Sequence, residues 1–262
     1  MYSLEHQQFL KKRKTRKFLI RITQIMIFIL FILIWQILAD KNLINTFIFS
    51  SPKKVLDCLI NLHVKGNLYN HIWITVWETL VSFVLGAFIG LIIATIMWWN
   101  KFLSKVIDPY LTILNSLPKV ALGPIIIIWA GAGMKSIILM ALLISVIVTV
   151  LSVYQGFIDT DPIKIKLMQS LHAKKSQIYF KLLLPSSLPT IISALKINIS
   201  MCLIGVIMGE FLVSKEGIGY LIMYGSQVFN LDLVITGIFI LCIVATIMYY
   251  LIVFLEKKLV KN

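Results

Sequence analysis

The sequence predicts an all-α polytopic membrane protein with six transmembrane helices. Three observations carry that expectation. First, 59% of the 262 residues are hydrophobic and only 14% are charged, whereas soluble domains run at about 45–50% and about 25%. A soluble fold of this length has no interior large enough to hide so much apolar surface. Second, the apolar residues fall into runs of about 20, which at about 1.5 Å per residue cross a hydrocarbon core of about 30 Å. Third, the excess of 25 Lys and Arg over 11 Asp and Glu, a net charge of +14, collects in a few short segments. That is the positive-inside pattern of a membrane protein, not a nucleic-acid surface.

In chain order, residues 1–17 form a polar, basic tail. Span one, 18–39, is too long for the apolar region of a signal peptide and has no small-x-small cleavage site, so it reads as an uncleaved helix. Residues 51–64 are shorter and mixed. Val55, Leu56, Leu59, Ile60 and Leu62 share a helical stripe behind Pro52, which predicts a surface or interfacial helix. Span two, 72–99, carries Glu78 near its start and Trp98-Trp99 as an interfacial anchor. Span three, 102–129, is interrupted by Pro109, Pro118 and Pro124, which either split the helix or make a re-entrant turn. Spans four, five and six follow at 136–157, 188–213 and 233–255. Residues 18–256 thus form one membrane domain, and 257–262 form a second basic tail.

The charges set the expected orientation. The N-terminal segment, the turn with Lys101 and Lys105, the loop with Lys164, Lys166, Lys174, Lys175 and Lys181, and the C-terminal tail together hold 17 of the 25 basic residues. Six spans place all four on one side, so both termini are expected in the cytoplasm.

Motifs for catalysis are missing from the sequence. The string Gly131-Ala132-Gly133-Met134-Lys135-Ser136 has the wrong spacing for a P-loop, and there is no H-E-x-x-H or G-x-S-x-G. His6, His63, His71 and His172 are scattered, and Cys58, Cys202 and Cys242 form no C-x-x-C pair. No catalytic residue, metal site, disulfide framework or cofactor is expected.

The loop 158–187 is more informative. Asp161 and Pro162 read as the N-cap and first residue of a short helix over 163–173. A second short helix over 176–184 is expected to end at Pro185. Two compact helices with exposed apolar residues fit a docking surface for a partner, and a loop lying on the membrane interface fits equally.

The run from Leu167 to Pro189 resembles the EAA loop of ABC-importer permeases, an E-A-A-x-x-x-G pattern followed after a spacer by I-x-L-P. Leu184-Pro185, Leu188-Pro189, Ala173, Gln177-Ile178 and Phe180 match. Lys166 stands where the family has Glu, and His172 where it has Gly. Upstream, Phe49 to Pro52, Ser116 to Pro124 and Trp129 to Gly133 are similar to further stretches of the family. So are Ile207 to Phe211 and Gly217 to Leu221 downstream. These point to the nitrate/sulfonate/taurine branch.

The resemblance implies a type I ABC-importer permease core in a bacterial inner membrane. A second permease subunit, expected to be a second copy of this chain, two separate ATPase subunits and an extracytoplasmic solute-binding protein are the implied partners. It also implies coupling to the ATPase through Lys166, Leu167, Met168, Leu171, His172, Ala173, Lys174, Gln177, Ile178, Phe180, Leu184 and Pro185. The substrate class it implies is a small organic or inorganic anion, with a thiamine-pyrimidine or riboflavin-like vitamin precursor as the alternative. A secondary transporter or channel is the more distant reading.

Ionisable residues at membrane depth mark function or pairing. Glu78, Lys119, Lys196 and Glu210 qualify. Pro118, Lys119 and Pro124 are candidates for the substrate path. Glu210, beside Gly205 and Gly209, is a candidate for the outer gate, although that glycine pair is also a close-packing spacing. Lys196 is expected to snorkel to an interface.

Overall fold

A computed structural model describes residues 4–259, and all of its regular elements there are helical. The extreme ends of the two expected tails, 1–3 and 260–262, lie outside the described residues. Twelve α-helices follow in order: α1 (Leu4–Asp40), α2 (Thr46–Phe49), α3 (Pro52–Lys65), α4 (Leu68–Trp99), α5 (Lys101–Ser116), α6 (Gly123–Ala130), α7 (Met134–Ile158), α8 (Pro162–Ser170), α9 (Lys175–Ile178), α10 (Leu184–Val213), α11 (Ile218–Gln227) and α12 (Leu231–Leu259). Among the described residues, five stretches are long and apolar enough to cross a membrane: Thr15–Asp40, Leu68–Trp99, Met134–Ile158, Lys175–Val213 and Leu231–Phe254. The sixth expected span is two pieces, Lys101–Ser116 and Lys119–Ala130, bent by 89°. Pro109 is absorbed inside α5, and the break falls at Leu117 and Pro118, because proline excludes its predecessor from helical geometry.

The centre of the bundle is α4, α7 and α10 packed side by side. Small residues at the crossings allow this. A Cβ on Gly205 of α10 would lie 2.4 Å from the Ala141 Cα of α7, and one on Gly90 of α4 would lie 2.6 Å from the Thr149 methyl. Both approaches are closed to any larger side chain, so the Gly205-x-x-x-Gly209 pair serves close helix packing. Some polar side chains between these helices pair with each other. Asn198 donates to Thr149, and Cys202 Sγ donates to Asn198 Oδ1 at 3.4 Å. Such pairing is required where no water is available. α1 is peripheral, with most of its apolar residues exposed, as expected for a lipid-facing helix. Its Trp35 ring stacks on Phe239 at 6.0 Å.

The helix expected at 51–64 is found as α3, capped by Ser51, whose hydroxyl accepts from Lys54 N–H at 3.3 Å. It is a surface helix with one stripe packed inward. Val55 is buried, Leu59 and Leu62 pack into a core with α12, and the Thr236 hydroxyl donates to the Val55 carbonyl at 3.4 Å. The loop's first helix stops at Ser170, short of 173. The second helix does not end at Pro185. It runs from Lys175 through a π-helical turn, Tyr179–Leu183, straight into α10. A π turn bonds i to i+5, which frees the carbonyls that a proline one turn later would otherwise strike. Span five therefore begins at the loop itself.

Candidate functional site

The loop between α7 and α10 is built on local capping. The Asp161 carboxylate accepts from Ile163 N–H at 2.8 Å and starts α8. α8 ends in a Schellman turn: Ala173 N–H donates to Met168 C=O at 3.0 Å and His172 N–H to Gln169 C=O at 2.9 Å. That closure puts His172 in the left-handed region, with φ +55°. Gln177 Oε1 then accepts from Lys174 N–H at 2.8 Å and opens α9.

Two faces result. Ile163, Leu167 and Leu171, at i, i+4 and i+8, form one stripe and are 74%, 60% and 70% exposed, and Phe180 is 67% exposed. Lys166 and Lys174 are exposed alongside, and Met168 and Ala173 are half-buried. The other face is anchored to the ends of the long helices. Ile178, Tyr179 and Leu183 are buried. The Tyr179 hydroxyl and Thr95 Oγ1 are 2.8 Å apart, and the Tyr179 ring sits among Trp98, Trp99 and Phe157. Lys175 Nζ donates to the Trp99 carbonyl and lies 5.5 and 5.7 Å from the Trp98 and Trp99 ring centroids. The Ser187 hydroxyl donates to Gly156 C=O at 2.9 Å. Leu184 and Pro185 lie in the first turn of α10. The exposed stripe and the anchored face thus lie on one short loop joined to the ends of α4, α7 and α10 by packed and hydrogen-bonded contacts.

The sequence-selected groups at depth separate. Lys119, half-buried at the break in span three, donates to Asn115 C=O at 3.1 Å and to Asn115 Oδ1 at 3.3 Å. Pro118 and Pro124 flank it and are exposed. Lys196 forms an ion pair with Glu256 of α12 at 2.7 Å, so its charge is matched by a neighbouring helix and not only by snorkelling.

Glu210 and Glu78 come together in a buried site, 1% and 3% exposed. Here the first N–H groups of α11 are capped by side chains from other helices. Gly217 N–H donates to His71 Nδ1 at 3.0 Å, Ile218 N–H to Thr75 Oγ1 at 2.8 Å and Gly219 N–H to Glu210 Oε2 at 2.5 Å. The Thr75 hydroxyl in turn donates to Glu210 Oε1 at 2.6 Å. Gly217 has φ +107°, and a Cβ there would sit 2.4 Å from the Glu210 carboxyl carbon. His71 and Thr75 were not singled out by sequence reasoning. Their i, i+4 spacing on one face of α4 is the available signal, and it becomes specific only once α11 is placed against it. Tyr179 escapes sequence reasoning for the same reason, and the contact of Lys175 with the Trp99 carbonyl is set only by the fold.

Comparison with known proteins decides what this architecture is. The family described as "Binding-protein-dependent transport system inner membrane component" matches residues 86–261. The chain belongs to this family. A probable ABC transporter permease protein of Haemophilus influenzae is 30% identical over 219 residues, 84% of this chain and 89% of that one. A putative aliphatic sulfonates transport permease protein, SsuC, of Bacillus subtilis is 27% identical over 230 residues, 88% and 83%. The formylaminopyrimidine transport permease protein ThiX of Halalkalibacterium halodurans is 26% identical over 193 residues, 74% and 76%. In fold, the chain is similar to a solved chain of the inward-facing MetNI methionine ABC transporter. The TM-score is 0.65 at 22% identity, covering 74% of this chain and 94% of that one.

The protein is therefore an ABC-importer permease, a multi-pass membrane subunit and not an enzyme, whose ATPase is a separate chain. The EAA-type loop of this permease departs from the family pattern at His172, and its geometry explains the usual Gly. The Schellman turn needs a left-handed residue, which glycine adopts freely and histidine at a cost of about 1 kcal/mol. His172→Gly is expected to raise the thermal midpoint in detergent by about 2–4 °C. An unchanged or lowered midpoint would show that the imidazole makes good the backbone cost.

Proposed function

We propose that this permease imports a small organic or inorganic anion, of the sulfonate kind, past the broken third span, and that the loop 158–187 transmits the ATPase's motion to the spans. The observation that carries the substrate reading is Lys119. It is a cation at a proline-made break, where irregular backbone at membrane depth is tolerated only against protein or a water-filled cavity. Among the described residues its hydrogen-bond partners are uncharged groups of Asn115, so its charge is left for an anion. The sulfonate permease among the relatives supports the same class. The formylaminopyrimidine permease supports the alternative, a vitamin precursor.

A second copy of the chain completes the path. Ile128 and Trp129, 80% and 82% exposed on α6, are the apolar surface it would cover. Two ATPase subunits meet the Ile163, Leu167, Leu171 and Phe180 stripe, and a solute-binding protein delivers substrate from the opposite side. Both termini lie in the cytoplasm of a bacterial cell, in keeping with the lysines of the loop.

Uptake into vesicles by the reconstituted importer tests this. A Lys119→Ala permease is expected to lose at least tenfold in anion uptake, about the 1.4 kcal/mol of one charge-assisted contact. Unchanged rate and unchanged preference among a sulfonate, nitrate and an aminopyrimidine would remove Lys119 from the path. The ligand retained by the cognate binding protein then decides between anion and vitamin precursor.

A further inference from the structure

Beneath the loop lies a cavity of about 610 Å³. Its walls come from three directions: Trp98 and Lys101 from the α4–α5 turn, Phe157 from the end of α7, and Ile165, Gln169 and Lys175 from the loop. Among the described residues no carboxylate lines it. Two ammonium groups face an otherwise largely apolar space, in the size range of pockets for drug-sized ligands, about 300–1,000 Å³. Lys175 is held in place by its bond to the Trp99 carbonyl and by the two indole rings. One of its three donors is thereby used and two remain. Trp98 and Trp99 close a 32-residue apolar helix, which sets the cavity at headgroup depth, where such indoles sit.

We propose that this cavity binds the phosphate of an anionic phospholipid from the leaflet on the loop's side, with Lys101 and Lys175 as its cations. The ligand chemistry is a phosphate joined to an apolar body. The lysines take the first and Trp98, Phe157 and Ile165 take the second. A nucleotide fits less well, because among the described residues only Gln169, Tyr154 and the Trp98 indole N–H offer uncharged polar groups on the walls to read a base. The site also has a consequence for coupling. Ile165 and Gln169 lie on the face of α8 opposite Ile163 and Leu167, so a bound lipid supports the coupling helix from behind.

The test is native mass spectrometry of the full chain in detergent, titrated separately with phosphatidylglycerol, phosphatidylcholine and sodium phosphate. Phosphatidylglycerol is expected to bind at least tenfold more tightly than phosphatidylcholine. Lys101→Gln with Lys175→Gln should weaken it about thirtyfold, the combined effect of two interfacial lysines. Lys175→Arg, which keeps the charge, and Lys164→Gln, which lies off the cavity, should retain it. These two variants separate lost binding from lost folding. Phosphatidylglycerol held equally by the double variant, or phosphatidylcholine held equally by the unaltered chain, overturns the proposal. Displacement of the lipid by an equal concentration of inorganic phosphate also overturns it, by assigning the lysines to a free anion.

Discussion

Replacing Leu167 and Leu171 together by Asp is expected to abolish recovery of the ATPase subunit with the tagged permease and to stop uptake into vesicles. Both side chains are largely exposed in the chain, at 60% and 70%, so their loss costs the permease's own fold little, within about 0.5 kcal/mol. At an interface the same residues are buried apolar anchors. Truncating an anchor costs about 2 kcal/mol or more, and placing an unpaired carboxylate in a desolvated groove adds to that. Two such changes weaken association by about a thousandfold. The double variant should therefore melt like the unaltered permease and yet purify alone. Full ATPase recovery would place the docking surface elsewhere and return the loop to an interfacial role.

Glu210→Ala should act in the opposite way, on the permease itself. The carboxylate accepts from Thr75 Oγ1 at 2.6 Å and from Gly219 N–H at 2.5 Å inside a buried site. Its removal strips the buried Gly219 N–H of its acceptor and leaves the Thr75 hydroxyl only the His71 carbonyl at 3.2 Å, at about 2–3 kcal/mol in all. The thermal midpoint in detergent is expected to fall by about 10 °C. Glu210→Gln keeps one acceptor and should lose about half as much. A Glu210→Ala midpoint within a degree or two of the unaltered protein would mean that α11 is not held by this node. Loss of transport without loss of stability would instead favour the gate role that the sequence suggested for Glu210.

How much was legible before the structure differs by element. Five spans and the loop's place followed from run length and charge, both local quantities. The Asp161 cap and Pro162 start of α8 were legible because a cap bonds within three residues of itself. Pro185 was misread for a related reason. The helix-breaking rule is local, and the π turn at Tyr179–Leu183 that accommodates the proline has no sequence mark of its own. The amphipathic stripe of α3 was legible, but its partner was not, because periodicity names a buried face without naming what covers it.

Sequence by itself thus determined the class: an apolar fraction too high for a soluble core, six spans with one broken by prolines, and basic residues gathered in a few short segments. Those follow from hydration of single residues and from the chain's own stiffness, which neighbours in space barely alter. The tertiary structure alone decided which groups Glu210 meets. The groups of this site lie up to 146 positions apart, with His71 and Thr75 on α4 and Gly217 to Gly219 at the start of α11. Whether a carboxyl at membrane depth lines a path or caps a helix depends on which N–H groups the fold brings within reach. In a medium without water those groups must find a protein acceptor, and the packing of α4, α10 and α11 supplies it.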